Sequence, residues 1–303
     1  MISYAQNFED VLLWRAFGDI RDGAYIDVGA CHATEGSVTR WFYDHGWAGV
    51  NLEPIPELYA ALERERRRDI NIQAAAGAAP GRAEFRIVRQ NLGYSSLVTE
   101  GALPGQLAEG SETVAVEVIT LDSVFARLDR PVVHFLKIDV EGAEAAVLAG
   151  LDLRRNRPRV MVIEATAPGS PQDVSDAWRP GVEGAGYRHA WFDGLNRWFV
   201  AEEHAGLIPR IALPPNVFDD FIPLRLHQMT ERVIRAEAAA QHAQDAFRGL
   251  EVRLGEAQAQ RAEAEGRAAA AAEQLAAATA QVEAMKASTS WRMTAPLRAL
   301  RGV

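Results

Sequence analysis

Four acidic residues each stand where a predicted strand ends: Asp27, Glu53, Asp139 and Glu164. The carboxyl ends of parallel strands meet at one edge of an open α/β sheet, and ligands of such folds bind outside that edge. Carboxylates gathered there can hold sugar hydroxyls, balance a cationic ligand or take a proton from a reacting group. Because four separate strands each deliver one acid, solubility alone does not explain the pattern. The acids therefore predict a ligand site at a single sheet edge.

The first two acids fit the pattern of a nucleoside site. A predicted strand over Ala24–Val28 leads into a small-residue turn at Gly29, and a second strand over residues 47–52 ends at Glu53. In nucleoside-binding α/β folds, the acid after the second strand holds ribose hydroxyls. An ordinary turn without a ligand explains Gly29 alone equally well, but Glu53 favours the site. We expect five residues to bind the cofactor: Asp27, Gly29, Ala30, Glu53 and Ala76.

The glycine spacing indicates which nucleoside is favoured. A dinucleotide requires the pattern G-x-G-x-x-G, because the backbone must closely approach its pyrophosphate. Counted from Gly29, the second and third glycine positions hold Cys31 and Thr34, whose Cβ atoms obstruct that approach. S-adenosylmethionine has no phosphates and needs a small turn, a ribose acid and an acid near its amine, for which Asp27 is placed. The pattern therefore favours S-adenosylmethionine and disfavours an NAD-dependent oxidoreductase.

A second acidic segment follows the buried strand that is predicted over residues 132–138. Asp139 stands at the tip of this strand and Glu141 follows two residues later, and acids this close can raise the pKa of one of them. We predict that Asp139 is the catalytic base, with Glu141 and then His32, which lies in the cofactor turn, as further candidates. Glu144 fits helix capping, because acids are favourable in a first helical turn.

Two of these strand ends could together bind a metal ion. Asp139 and Glu164 carry the oxygen ligands that divalent cations prefer. The sequence offers no visible third ligand beside them, so we predict a site without a metal.

Composition narrows the class of protein. The chain has 303 residues, of which 48% are hydrophobic, and its net charge of −9 argues against a general nucleic-acid binder. Its one cysteine, Cys31, excludes an intrachain disulfide and fits a reducing compartment. The first residues are too charged for a secretory leader, and no apolar run reaches the ~20 residues that span a bilayer. We therefore expect a cytoplasmic protein that is not transmembrane.

Alternating strand and helix patterns over residues 1–222 predict an α/β domain with a mostly parallel sheet. The patterns include a helix over residues 35–45 and a third strand over residues 70–75. Residues 89–112 contain several glycines and predict a long loop. Two strand patterns flank a turn signal at Gly194, which predicts a terminal antiparallel hairpin.

Residues 223–287 differ in composition, being rich in alanine with an apolar residue at most a and d positions of a heptad register. Heptads sustained from Leu226 to Met285 predict a long α-helical coiled coil that makes the protein a homo-oligomer, with a lone surface helix as the alternative. The charged Arg261 occupies an a position and weakens this seam. Residues 288–303 form a basic tail that we expect to be flexible, with a weak membrane-surface contact as the alternative.

Four segments of the chain together resemble a known family: Asp27-Val28-Gly29-Ala30, Glu53-Pro54, Leu121-Asp122 and Lys137-Ile138-Asp139-Val140-Glu141-Gly142-Ala143-Glu144. Over about residues 2–222 the chain is similar to the FkbM family of S-adenosylmethionine-dependent methyltransferases. The resemblance implies a Rossmann-like class I methyltransferase fold, here followed by the coiled coil. It also implies methyl transfer, usually to a hydroxyl group of a natural product or a sugar.

The C-terminal tail narrows the expected acceptor. The run from Ser290 to Arg298 looks like the ends of bacterial surface-polysaccharide glycosyltransferases, which favours a glycan. We therefore expect an O-methyltransferase acting on a sugar or polysaccharide precursor. The alternatives are a methyltransferase for a non-glycan small molecule and a cofactor-binding scaffold that recruits partners through its coiled coil.

Overall fold

The computed structural model describes residues 1–98, 111–295 and 298. The chain divides into two compact units, Met1–Gln228 and Met229–Val303. The first unit contains all strands of the described residues, and the second contains most of one long helix.

Within the described residues, seven strands of the first unit form the main sheet. Their spatial order is β11 (Tyr187–Phe192), β12 (Asn196–Ala201), β10 (Val160–Glu164), β9 (Phe135–Ile138), β2 (Ala24–Val28), β3 (Ala48–Leu52) and β4 (Ile70–Ile72). Neighbouring strands are parallel except that β12 runs antiparallel to both β10 and β11. The predicted α/β class with a mostly parallel, Rossmann-like sheet is confirmed.

The strand order reverses at the centre of the main sheet. The chain runs outward from β2 through β3 to β4 and later places β9 on the other side of β2. Open parallel sheets bind ligands at such a switch point, outside the carboxyl ends of the strands. The topology therefore places a candidate site after β2, β3 and β9.

Apolar runs explain why the central strands are buried. Every residue of β2, β9 and β10 is buried, as expected for parallel strands that are covered on both faces. Because side chains alternate between faces, Ile26 and Leu136 pack into one core cluster while Tyr25 and Phe135 pack into another. The two clusters hold the sheet rigid beneath the candidate site.

A second sheet lies in the same unit. Its strands are β5 (Ala75–Ala76), β8 (Ser111–Ile119), β6 (Gly81–Val88) and β7 (Ser96–Leu97), in that spatial order. The predicted single strand over residues 70–75 is therefore divided between two sheets, because a turn in which the Ala74 N–H donates to the Ile72 carbonyl separates β4 from β5. The predicted loop over residues 89–112 includes β7 and the start of β8, and its residues 99–110 lie outside the described part.

Short helices connect the strands. They are α1 (Glu9–Phe17), α2 (Arg40–Asp44), α3 (Pro56–Glu65), α4 (Leu121–Phe125), α5 (Glu144–Ala149), α6 (Arg179–Gly184) and α7 (Ile208–Ile211). The helix predicted over residues 35–45 begins only at Arg40. Gly36 has a left-handed φ of 77°, and its N–H donates to the Tyr4 carbonyl instead of joining a helix. A two-strand sheet of β1 (Ile2–Ser3) and β13 (Ile222–Pro223) joins the ends of this unit.

The long helix is α8 (Leu224–Ala287), and none of its residues is buried. The short helix α9 (Thr289–Met293) follows, and the Ser288 side chain caps it by accepting from the Trp291 N–H. In the described part of the chain, no helix combines the length and apolar character required to cross a membrane.

Candidate functional site

A cavity of about 510 Å³ opens at the carboxyl ends of β2, β3 and β9. Residues after each of these strands line it, together with side chains of the second sheet such as Phe85 and Leu97. The wall also contains most of the residues that the sequence predicted for the site: Gly29, Ala30, His32, Glu53, Ala76, Asp139 and Glu141. The structure therefore brings the predicted cofactor and catalytic residues together, with the exception of Asp27.

The turn after β2 has a backbone that only glycine permits at its first position. Gly29 has a φ of 74°, and a Cβ built on it would lie 1.8 Å from the Asp139 carbonyl oxygen. The N–H groups of Gly29 and Ala30 both donate to the Leu52 carbonyl, which joins the turn to the end of β3. The turn is thus packed closely against the backbone that carries Asp139.

Glu53 is held at the cavity by two backbone donors. Its Oε2 accepts from the Cys31 N–H and its Oε1 from the Ile55 N–H, both at 2.8 Å. Burial raises the pKa of Glu53 to about 7, and these hydrogen bonds partly oppose the rise. Each carboxylate oxygen can accept a further hydrogen bond, so the side chain suits a ligand with neighbouring hydroxyls, as in a ribose.

Asp27 lies behind the cavity wall. Its side chain is 1% exposed, its Oδ2 accepts from the Thr39 hydroxyl at 3.1 Å, and its Oδ1 lies 3.4 Å from Lys137 Nζ. Among the described residues, the cavity wall does not include it. Burial raises the pKa of Asp27, while Lys137 lowers it. The structure therefore gives Asp27 the position of a buried partner for Lys137, away from a direct cofactor contact.

Lys137 is a site residue that the sequence reasoning missed. Its Nζ donates to the Gly29 carbonyl at 2.7 Å and lies 3.3 Å from Asp139 Oδ2 as well as near Asp27. Burial alone would lower the pKa of Lys137, but the carboxylates of Asp139 and Asp27 raise it above its ordinary value. The sequence did contain one signal for this role: Lys137 stands inside a buried apolar strand. A lysine in such a position requires charged partners nearby.

Asp139 and Glu141 occupy the loop that follows β9. The Asp139 N–H donates to the Val28 carbonyl, and its side chain remains 35% exposed toward the cavity. Glu141 adopts a left-handed φ of 55°, an uncommon conformation for a residue with a side chain. Burial, followed by the charges of Asp139 and Glu144, raises the pKa of Glu141 to about 8. Asp139 is therefore the more accessible carboxylate.

Glu164, at the end of β10, brings a third carboxylate to this loop. Oxygen atoms of Asp139, Glu141 and Glu164 all lie within 4.8 Å of one another, a set that can share protons or ligate a cation. Burial, followed by the charge of Asp139, raises the pKa of Glu164 to about 11, so this group retains its proton at neutral pH. The sequence paired Glu164 with Asp139 but did not indicate Glu141 as a third carboxylate beside them. The site without a metal stays a prediction.

The neighbouring acid Glu144 has a structural role. Its Oε1 accepts from the N–H groups of Val140 and Gly142, at 3.2 and 3.1 Å. These hydrogen bonds hold the loop that carries Asp139 and Glu141 at the start of α5. Its predicted capping function is in keeping with this position.

The remaining candidates differ in position. His32 is exposed in the cavity wall, where it can reach a ligand. Burial, followed by the charge of Glu53, raises the pKa of the Cys31 thiol to about 12, which disfavours a nucleophilic thiolate. The Ser95 hydroxyl accepts from the Val88 N–H at 3.0 Å and so fixes the second sheet at the cavity.

Comparison with known proteins adds a family match. A family model described as the methyltransferase FkbM domain matches residues 27–189. No curated protein matches the chain. Among solved structures, the chain is similar to a TehB-like SAM-dependent methyltransferase from Corynebacterium glutamicum, with 12% identity and a TM-score of 0.35 over 64% of this chain and 87% of that one. The family model, which covers both Asp27 and Asp139, is the informative comparison.

Proposed function

The chain belongs to the FkbM family of S-adenosylmethionine-dependent methyltransferases, and we propose that it methylates a hydroxyl group of a sugar or polysaccharide precursor. One observation carries the proposal: the accessible Asp139 carboxylate shares a cavity with the Gly29 turn and Glu53. Polar side chains such as Asn91 and His32 also line the cavity and offer hydrogen bonds to an acceptor rich in hydroxyls.

The residues present fit S-adenosylmethionine. Gly29 leaves room where a Cβ would collide with the backbone, and Glu53 offers oxygens suited to ribose hydroxyls. Ala30 and Ala76 are small cavity-lining residues that complete the cofactor wall. The accessible Asp139 carboxylate in the cavity wall favours a cationic cofactor over its neutral product. When bound, S-adenosylmethionine supplies a methyl group carried on a positively charged sulfur.

The residues of the chain supply positioning and a base. In our mechanism the Asp139 carboxylate takes the proton of the acceptor hydroxyl, an effect worth about 10²–10⁴-fold. Lys137, 3.3 Å from Asp139 Oδ2, orients this carboxylate and links it to the Gly29 turn. Holding the reacting groups in line contributes up to about 7–11 kcal/mol more. Glu141 and His32 are the second and third candidates, because Asp139 is the more accessible of the two carboxylates in this loop.

A labelled-methyl assay tests this proposal. The full chain is incubated with S-adenosylmethionine carrying a labelled methyl group and with a panel of nucleotide sugars, lipid-linked glycans and non-glycan alcohols. We expect label in an acid-stable methyl ether of a sugar. In a separate binding titration, we expect S-adenosylmethionine to bind to the chain and NAD not to bind. Label in a non-glycan alcohol alone would contradict the glycan acceptor, and label in no acceptor would favour the scaffold.

A truncation separates the enzyme from the scaffold. Ending the chain after Gln228 retains Pro223, Leu224 and Arg225, which line the cavity, and removes the second unit. An enzyme keeps its turnover on a soluble acceptor after this truncation. A scaffold shows no turnover in either form and loses its effect in cells when the second unit is removed.

A further inference from the structure

Helix α8 exposes a mostly apolar stripe along its length, interrupted by Arg261. In the heptad register that begins with Leu226 at an a position, the large apolar side chains of the a and d positions are 45 to 69% exposed: Leu226, Met229, Val233, Phe247, Leu250, Leu254, Leu275, Val282 and Met285. The glycines of the helix avoid the stripe, because Gly249, Gly255 and Gly266 fall at c, b and f positions. A stripe of this period is buried when another helix packs along it.

We propose that the stripe of α8 packs against α8 of a second copy of this chain, in parallel and in register. The charges beside the stripe select both the partner and the direction. This inference concerns assembly and does not depend on the identity of the methyl acceptor.

The e and g positions separate the charges by sign. Between Val233 and Met285 the charged residues at e are all acidic, namely Glu237, Glu251 and Glu265. From Arg232 to Met285 the charged residues at g are all basic, namely Arg232, Arg253 and Arg267. In a parallel pair each g position faces an e position of the partner, and in an antiparallel pair e faces e and g faces g. The parallel arrangement therefore avoids like charges and places Arg232 beside Glu237 of the second copy.

Arg261 fixes the register of this pair. It is the one charged residue at an a position between Leu226 and Met285, and its Nε donates to Glu265 Oε1 at 2.8 Å within the same helix. In an in-register pair both arginines lie in one layer, each accompanied by its own Glu265. A single polar layer of this kind specifies register at some cost in stability.

The direction of pairing decides where the two helices begin. A parallel pair places the amino ends of both α8 helices, which follow the methyltransferase domains in the chain, at the same end. An antiparallel pair would place these amino ends at opposite ends.

Cysteine crosslinking of the full chain tests the direction. With Cys31 replaced by serine, Ala236→Cys and Ala278→Cys each place a thiol at a d position near one end of the helix. Ala238→Cys and Ala280→Cys are the matched f-position controls. We expect rapid same-residue disulfides for both d variants, none between the 236 and 278 thiols in a mixture, and little reaction of the controls.

Two other outcomes would overturn the proposal. A dimer in sedimentation equilibrium that forms no same-residue disulfide at either d position would show an antiparallel or out-of-register pair. Equal reaction of d and f variants would show that α8 has no defined partner.

Charge reversal provides the second test. Arg232→Glu or Glu237→Arg places like charges together in the parallel pair, and the double variant restores the attraction. By sedimentation equilibrium we expect each single variant to raise the dissociation constant of the dimer roughly 3- to 10-fold, as for two exposed charge pairs, and the double variant to recover it. The b-position control Arg248→Glu should leave it unchanged. Equal weakening by the control, or no recovery in the double variant, would contradict the pairing.

Discussion

At the scale of single residues, Lys137 connects the two halves of the site. Its ammonium group contacts the Gly29 carbonyl in the turn after β2 and lies beside Asp139 in the loop after β9. It also pairs with Asp27, which has 1% exposure and therefore needs a compensating charge. The conformation of the turn and the orientation of the Asp139 carboxylate thus depend on one buried side chain.

Lys137→Met should destabilise the domain. The substitution preserves the length of the side chain but leaves the buried Asp27 without its cation, a change that typically costs about 3–5 kcal/mol. Urea unfolding of the variant measures this loss. Adding Asp27→Asn should recover part of it, because the uncompensated charge is removed. A loss below about 1 kcal/mol would contradict the importance of the ion pair.

Glu53→Ala should weaken the binding of S-adenosylmethionine. Hydrogen bonds to a charged group are worth about 1.5–3 kcal/mol, so the dissociation constant should rise about 10- to 100-fold. Titration calorimetry measures it directly. Glu57→Ala is the matched control, because Glu57 lies four residues later, outside the cavity wall, in an exposed pair with Arg89. Unchanged affinity in the Glu53 variant would refute its assignment to the ribose.

At the scale of elements, the turn after β2 is formed by contacts from three strands. It follows β2, its N–H groups bond to the end of β3, and its first residue touches the backbone after β9. The close approach explains why a glycine is required at position 29 in addition to its positive φ.

Gly29→Ala should therefore damage the site more than an ordinary glycine substitution. Gly194→Ala is the control, because Gly194 has a φ of 99° and no atom within 4 Å of an added Cβ. In both variants the positive φ strains the alanine and lowers the stability of the fold. Only in the Gly29 variant does the added Cβ also collide with the Asp139 carbonyl. We expect Gly29→Ala to lose about 1–3 kcal/mol more stability, and to lose cofactor affinity. Equal thermal unfolding of the two variants would be evidence against a tight turn.

The buried strands β2, β9 and β10 were predictable, because continuous apolar runs ending in an acid are typical of central parallel strands. The division between β4 and β5 was not, since it depends on pairing with β8, more than 40 residues later. The position of Asp27 was not predictable either. Its place at the end of a strand is typical of a residue that binds a ligand, but in the folded chain it contacts Lys137, and Lys137 lines the cavity in its place.

At the scale of the whole molecule, the first unit gathers several buried acidic side chains near its cavity, and their pKa values are raised. Burial raises the pKa of Glu53 and Glu144 to about 7, and burial with neighbouring charges raises that of Glu141 to about 8 and of Glu164 to about 11. The ordinary value in each case is 4.5. Folding therefore retains protons that the unfolded chain releases.

The stability of the folded domain should consequently fall as pH rises. Above pH 4.5 the unfolded chain has lost these protons while the folded chain still binds them, so the slope of stability with pH is negative through the folded pKa values. Thermal unfolding from pH 5 to pH 9 should show a decreasing midpoint. Glu164→Gln, which mimics the protonated acid, should flatten the curve. A midpoint that rises over this range would contradict the buried, protonated acids.

The Asp139→Asn variant tests whether Asp139 is the base, when it is measured for both turnover and cofactor binding. The amide preserves the shape of the side chain but cannot accept the proton, so methyl transfer should fall by at least about 10²-fold. Calorimetry should show that S-adenosylmethionine binds with affinity close to that of the unchanged chain, because Gly29, Ala30 and Glu53 remain in place. Near-normal turnover in this variant would contradict a catalytic base at Asp139 and remove this residue from the mechanism.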